Sequence, residues 1–481
     1  MALFDAFKAK ATEVVNNTLQ ESVRNAPTPR QGQREQTPFV GFETDEHGKV
    51  LGRADSLSHT AVFGGSGSGK TVSVLVPQIC MWDGPVFAVS AKSDLAEYSA
   101  SIRAQRGGPI YMMDLTGQAD WNALPEGVIP LINDPCALLV PDADGSTDDS
   151  ALDLAKLLTE VGTLGMGGGK GAGGDVPFWM TLALGTLACL LQAGAGYPDP
   201  ETGAWADGGG IDWVMKAALN TGDDDEGSGD DLDLDTPSWS VAEIRADLAG
   251  SAHAADIPAT KALDPKQRDS VGINLRVALS SWKKKSVRGT GTPFTPELLE
   301  DPNATMYLVS PSSGGAAAAA TSIVESIVAH WTQHSIRKSL PKISMVIDEC
   351  PQICPIPRLR EHIGLMRSYG CWFTVAAQHS SQFTARFGKE EMDALLQVYP
   401  CILIMVGAIE KDILDQAAWT VKTTERRIES QDHAGRTSTS IDQVKREPAE
   451  LLPRHRGEGR LLVRGLPGTM VKLVPFDQMV A

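Results

Sequence analysis

The chain has 481 residues, enough for two or three domains or for one large α/β core with an insertion. Hydrophobic residues make up 42% and charged residues 21%, the balance of a globular chain and not of a disordered one. A formal net charge of −17 argues against a surface that wraps nucleic acid, so any contact with DNA would be confined to a pore or groove.

Residues 1–38 read as an N-terminal helix and linker. No continuous apolar run marks a signal peptide, but Leu3, Phe4, Phe7, Val14, Val15 and Leu19 recur at roughly helical spacing. That stripe suits docking on a protein better than lying on a membrane, because few basic residues accompany it. Residues 25–37 are polar and rich in Pro and Gln, as a linker would be.

Residues 39–135 alternate between strand and helix signals. Residues 60–63 form a short apolar strand that runs straight into glycines, and residues 71–81 a helix. A second strand covers 85–90, a helix 94–106, and a third strand 110–113. Strand–helix–strand at this spacing predicts an α/β fold with a mainly parallel sheet covered on both faces.

Residues 136–299 change character and read as a helical insertion. Within them, residues 178–197 carry no charge and approach the ~20 residues that a membrane span requires. Thr181, Gly185, Thr186 and Gln192 dilute this stretch and no Lys/Arg cluster anchors it, so a buried helix is predicted. Glycines concentrate at 165–174. An acidic run near 221–236 reads as a solvated loop; its glycine and glutamate offsets do not suit a calcium loop.

The α/β signal resumes over 300–481, with strands at 305–310, 343–347, 371–377 and 401–406, and a long alanine-rich helix at 315–335. Residues 460–464 and 469–474, joined through Pro467-Gly468, read as a closing hairpin. The seven cysteines form no dense framework and read as reduced thiols. Cys350 and Cys354 lie four apart, but no second pair completes a zinc site.

The chemistry concentrates at Gly64-Gly65-Ser66-Gly67-Ser68-Gly69-Lys70-Thr71, which fits the P-loop pattern. Glycines let successive backbone N–H groups turn inward at a helix N-terminus and make an anion cradle. Lys70 supplies charge to the β- and γ-phosphates of ATP, and the Thr71 hydroxyl reaches Mg2+. A strand before the loop and a helix after it support this reading. Such a site needs carboxylates, and the apolar strand ending in Asp348 and Glu349 supplies them: Asp348 for the magnesium shell, Glu349 to polarise the attacking water. Gln378, ending the next strand, is placed to sense the γ-phosphate. Ala91-Lys-Ser-Asp94 and Asp114-Leu-Thr-Gly117 imitate GTPase motifs, but in reversed order along the chain.

With these residues in hand, the sequence from about 63 to 476 resembles the conjugative coupling proteins of type IV secretion, the TraG/TraD family. The resemblance rests on the P-loop, Lys92-Ser-Asp-Leu95, Trp121-Asn-Ala-Leu124, Phe178-Trp179, Ile347-Asp-Glu349, Arg367-Ser-Tyr-Gly370 and Gln378, in the family's order. It implies a RecA-like P-loop NTPase, discontinuous over 39–135 and 300–481, with an all-α domain inserted over 136–299. It also implies a homo-hexameric ring that hydrolyses ATP to pump single-stranded DNA. The partners implied are a relaxase or other secreted protein and channel components at the membrane. Arg367 matches the family's arginine that reaches a neighbouring subunit's nucleotide. Two departures stand out: the family's usual transmembrane helices are missing, and Ser90-Ala-Lys-Ser-Asp94 replaces the usual Asp-Pro-Lys-Gly-Glu. A cytoplasmic protein, peripheral at the inner face of the membrane, is therefore expected. Lys283, Lys284, Lys285 and Arg288, beside Trp282, are candidate contacts for nucleic acid, since an aromatic among lysines suits a single strand; a solvated basic face remains the alternative. Two other functions also remain open: a soluble substrate receptor with an ATP-ordered ring, and an FtsK/HerA-like DNA pump outside secretion.

Overall fold

Runs of β-branched and apolar residues bounded by glycine, proline and polar clusters set the strands. The computed structural model describes residues 36–44, 49–139, 141–142, 144–165, 178–222, 233–289, 291–312, 315–420, 424–431, 437–444, 448–464, 466 and 468–479. The N-terminal apolar stripe, most of the glycine-rich stretch and most of the acidic run lie outside them.

The strands in chain order are β1 (Phe42–Thr44), β2 (Val50–Arg53), β3 (Thr60–Phe63), β4 (Val86–Ser90), β5 (Ile110–Asp114) and β6 (Ile129–Ile132). Next come β7 (Gly196–Pro198), β8 (Trp205–Asp207), β9 (Thr292–Pro293), β10 (Thr305–Val309), β11 (Ile343–Ile347) and β12 (Cys371–Ala377). The last five are β13 (Cys401–Met405), β14 (Thr424–Gln431), β15 (Thr437–Val444), β16 (Glu458–Val463) and β17 (Thr469–Lys472). Thirteen of them form one sheet in the order β2-β1-β17-β16-β13-β3-β12-β11-β4-β10-β5-β6-β9. From β13 to β9 every neighbouring pair is parallel. Beyond β13 the pairing turns antiparallel through β16, β17, β1 and β2. The closing hairpin, β16 with β17, is therefore the start of an antiparallel flank.

A strand buried on both faces alternates its side chains between two cores, and the central strands do so. Phe87 and Val89 of β4 join one core; Val86 and Ala88 join the other. The first core also holds the helix Ala317–Lys338 and the helices of residues 136–299, among them Phe178–Ala195, whose Leu187, Leu190 and Leu191 are fully buried. The helix Asp148–Gly165 packs against both Phe178–Ala195 and Ala317–Lys338; residues 136–299 are not wholly helical as expected, since β7 and β8 pair within them and β9 joins the edge of the main sheet. The second core holds Val76–Met81 and Asp94–Ala104. Here Arg103 is fully buried and donates to the carbonyls of Trp82 and Gly84 and to Oγ1 of Thr305, each at 2.7 Å. Among the described residues, no helix is long and apolar enough to cross a membrane.

Candidate nucleotide site

The sheet order assembles the site. Parallel strands bring their C-terminal ends to one edge, where loops from different strands converge. β12 lies between β3 and β11, so the P-loop, Gln378 and the Asp348–Glu349 pair leave three adjacent strands side by side. The Gly64 N–H donates to the Ala377 carbonyl at 3.2 Å, and the Asp348 N–H to the Val89 carbonyl at 2.9 Å, pinning these strand ends together.

Glycine is required at two kinds of position in the loop. Gly67 has φ +72° and Gly69 φ +90°, the left-handed region that bends the chain around an anion. Gly65 is required by contact, since a Cβ there would stand 3.1 Å from the Gly407 carbonyl oxygen, on the loop after β13. Lys70 ends the loop, and a single π-type turn, Thr71–Leu75, opens the helix behind it.

Lys70 is 7% exposed. Its ammonium donates to the Gly64 carbonyl at 2.7 Å and to Oε1 of Glu349 at 3.3 Å. Glu349 is one of three described non-glycine residues with positive φ, at +45°, a conformation that leaves local strain at the strand end. The buried Asp348 accepts the Glu349 N–H at 3.0 Å. Burial raises its carboxyl to about 6, Lys70 opposes the rise, and Glu349 and Asp94 reinforce it. Asp94 is itself raised by burial, while accepting from the Ser90 hydroxyl at 3.2 Å and the Leu95 N–H at 2.9 Å. Ser90, at the end of β4, thus serves as a donor to Asp94.

Together these residues line an open cleft of about 1330 Å³, with Thr71, Lys92 and Gln378 on its wall. Two buried polar atoms at its floor have no hydrogen-bond partner, Oγ of Ser68 and Oε2 of Glu349. Glycine-rich backbone, one ammonium, a hydroxyl and two carboxylates form a set of groups that suits a triphosphate with its magnesium ion.

The remaining sequence candidates lie elsewhere. Arg367 is exposed on the 3₁₀ turn Met366–Tyr369, which precedes β12, so it stands at the opposite end of that strand from Gln378. Within one chain the two are separated by roughly 20 Å of strand, taking ~3.3 Å per residue. Lys283, Lys284 and Lys285 are exposed, and Arg288 pairs with Asp212 at 2.9 Å. The aromatic expected beside them corrects that reading: Trp282 is fully buried, and its indole N–H donates to Oδ1 of Asn133 at 3.0 Å. It packs the core and offers no base a face. The sequence reading missed Asp94 and Arg456, both on the cleft wall. Asp94 was visible inside Lys92-Ser-Asp-Leu95; Arg456 carried no signal beyond being basic.

Two family models match the sequence. "Type IV secretory system Conjugative DNA transfer" covers residues 3–126, and "TraM recognition site of TraD and TraG" covers residues 342–456. No curated protein matches the chain in sequence. Among solved structures, the fold is similar to the bacterial conjugative coupling protein TrwBdeltaN70 in its unbound monoclinic form. The TM-score is 0.52 at 14% identity, over 92% of this chain and 89% of that one. It is similar also to VirB4 of Thermoanaerobacter pseudethanolicus, with TM-score 0.51 at 15% identity, over 93% of this chain and 100% of that one. The two family models, one towards either end of the chain, both describe proteins of conjugative DNA transfer and its type IV secretion machinery.

Proposed function

We propose that this chain is a motor of the conjugative coupling type that hydrolyses ATP and uses the energy to drive single-stranded DNA, delivered with a relaxase or another secreted protein, into a type IV secretion channel. The observation that carries this reading is the contact of the Lys70 ammonium with both the Gly64 carbonyl and the Glu349 carboxylate, beside the buried Asp348. A lysine in that place has two states. Triphosphate oxygens compete for the ammonium, and when they take it the Glu349 carboxylate is released to a water molecule.

Each residue then has a task. The amides of Gly65 to Gly69 hold phosphate oxygens, and Lys70 stabilises charge on the β- and γ-phosphates. Thr71 and Asp348 would hold a magnesium ion, which neutralises phosphate charge when bound. Glu349 orients the attacking water and accepts its proton. Gln378 reports on the terminal phosphate from the intervening strand. Arg367, remote from its own cleft, suits a homo-hexameric ring in which it serves the adjacent subunit. Lys283, Lys284 and Lys285 remain candidate contacts for a phosphate backbone, by charge alone.

The test is ATP turnover by the purified protein with and without single-stranded DNA. DNA should accelerate it; Lys70→Ala should remove it, and Glu349→Gln should lower it at least ~100-fold while nucleotide still binds. Equal rates in wild type and Lys70→Ala would end the proposal.

A further inference from the structure

One wall of the cleft comes from the far end of the chain, and it carries a cation. Nη2 of Arg456 lies 3.5 Å from the point that a Cβ on Gly67 would occupy, so the guanidinium overlies the apex of the P-loop. The turn that presents it is built. Oε2 of Glu458 accepts the N–H groups of Arg454 and His455, each at 3.2 Å, and the Glu458 N–H returns to the His455 carbonyl at 3.2 Å. Gly457 turns at φ +87°, and its carbonyl accepts the Leu473 N–H at 2.7 Å, tying the turn to the residue after β17. The side chain is exposed to the cleft it lines.

We propose that Arg456 is a nucleotide-binding residue acting within its own subunit, pairing with the α- and β-phosphates of a nucleoside di- or triphosphate held on the P-loop. The inference rests on the reading of the cleft as a nucleotide site. The amides of such a loop hold the α/β-phosphates and its lysine the β/γ-phosphates. Lys70, Asp348 and Glu349 therefore mark the end where the terminal phosphate is cleaved, and Arg456, above Gly67, covers the other part. A planar guanidinium pairs two phosphate oxygens at once, and the Glu458-capped turn limits the entropy lost in doing so. The contact is indifferent to the terminal phosphate, so it holds ADP as firmly as ATP.

Equilibrium binding of ATP, ADP and AMP, measured by displacement of a fluorescent nucleotide, tests this directly. Arg456→Ala should weaken ATP and ADP by a similar factor, about tenfold or about 1.4 kcal/mol, with AMP changed much less. Arg456→Lys should recover part of the loss. The KM for ATP should rise with the Kd, and kcat should fall by a smaller factor. Unchanged ATP and ADP binding in Arg456→Ala overturns the inference, and so does a loss confined to ATP, which would put the arginine on the terminal phosphate. If the wild type hydrolyses ATP while Arg456→Ala binds normally, only this inference fails. If the wild type binds both nucleotides but hydrolyses neither, the motor reading fails and the binding test of Arg456 still stands.

Discussion

Asp348 is 8% exposed and faces Glu349 and Asp94 at close quarters, and burial lifts its carboxyl from the ordinary 3.8 to about 6. A raised carboxylate is a charge that the folded state tolerates poorly, and the linkage follows from that. Below about pH 4 both folded and unfolded chains hold the proton, and the residue costs nothing. Between about pH 4 and 6 the unfolded chain ionises first, so stability falls as pH rises; above about 6 the whole penalty is present. A shift of roughly two units corresponds to about 3 kcal/mol. Asp348→Asn keeps the shape and removes the charge. In chelator-containing buffer without nucleotide, the variant should therefore exceed the wild type by about 3 kcal/mol at pH 8 and by about half of that at pH 5. Urea unfolding followed by tryptophan fluorescence at the two pH values measures the difference. An equal gain at both, or a less stable variant at pH 8, would refute the account of Asp348 as a strained acid, kept at a stability cost for its function.

Arg367→Ala should lower ATP turnover by about 10³-fold, the scale of a missing arginine finger, while nucleotide still binds. Mixing Arg367→Ala with Lys70→Ala subunits should then restore part of the rate, because one intact composite site can form. No recovery would place Arg367 outside a neighbour's site. Arg103→Met should cost about 3–5 kcal/mol, since it strips a buried charged donor from three carbonyls and a hydroxyl. A thermal midpoint within a degree of wild type would show that those oxygens find other partners.

The sequence made legible whatever depends on local spacing. Gly64 to Thr71 declares the loop because strand, glycines and lysine are contiguous. Asp348 and Glu349 stand out because an apolar run of strand length ends on them. The order of strands is another matter: that β12 lies between β3 and β11, putting Gln378 beside the P-loop, follows from how long crossovers pack, which no periodicity in the chain records. Trp282 misled because an aromatic beside lysines looks the same whether the ring faces solvent or core; the amide of Asn133, remote in sequence, decides it. β14 and β15 pair over eight residues each, apart from the main sheet, yet their polar Ser/Thr and charged residues gave no hydrophobic alternation to read. Arg456 stayed hidden because its significance lies wholly in which loop it overhangs.

The seven residues of β12 have a mechanical consequence. At one end the Ala377 carbonyl holds the first amide of the P-loop; at the other the strand joins the turn bearing Arg367. Paired on both sides, by β3 and β11, the strand is a short, continuous backbone link between the Gln378 end and the turn bearing Arg367. In the ring proposed above, one run of backbone would therefore separate the residue facing a subunit's own terminal phosphate from the arginine it offers to the adjacent subunit.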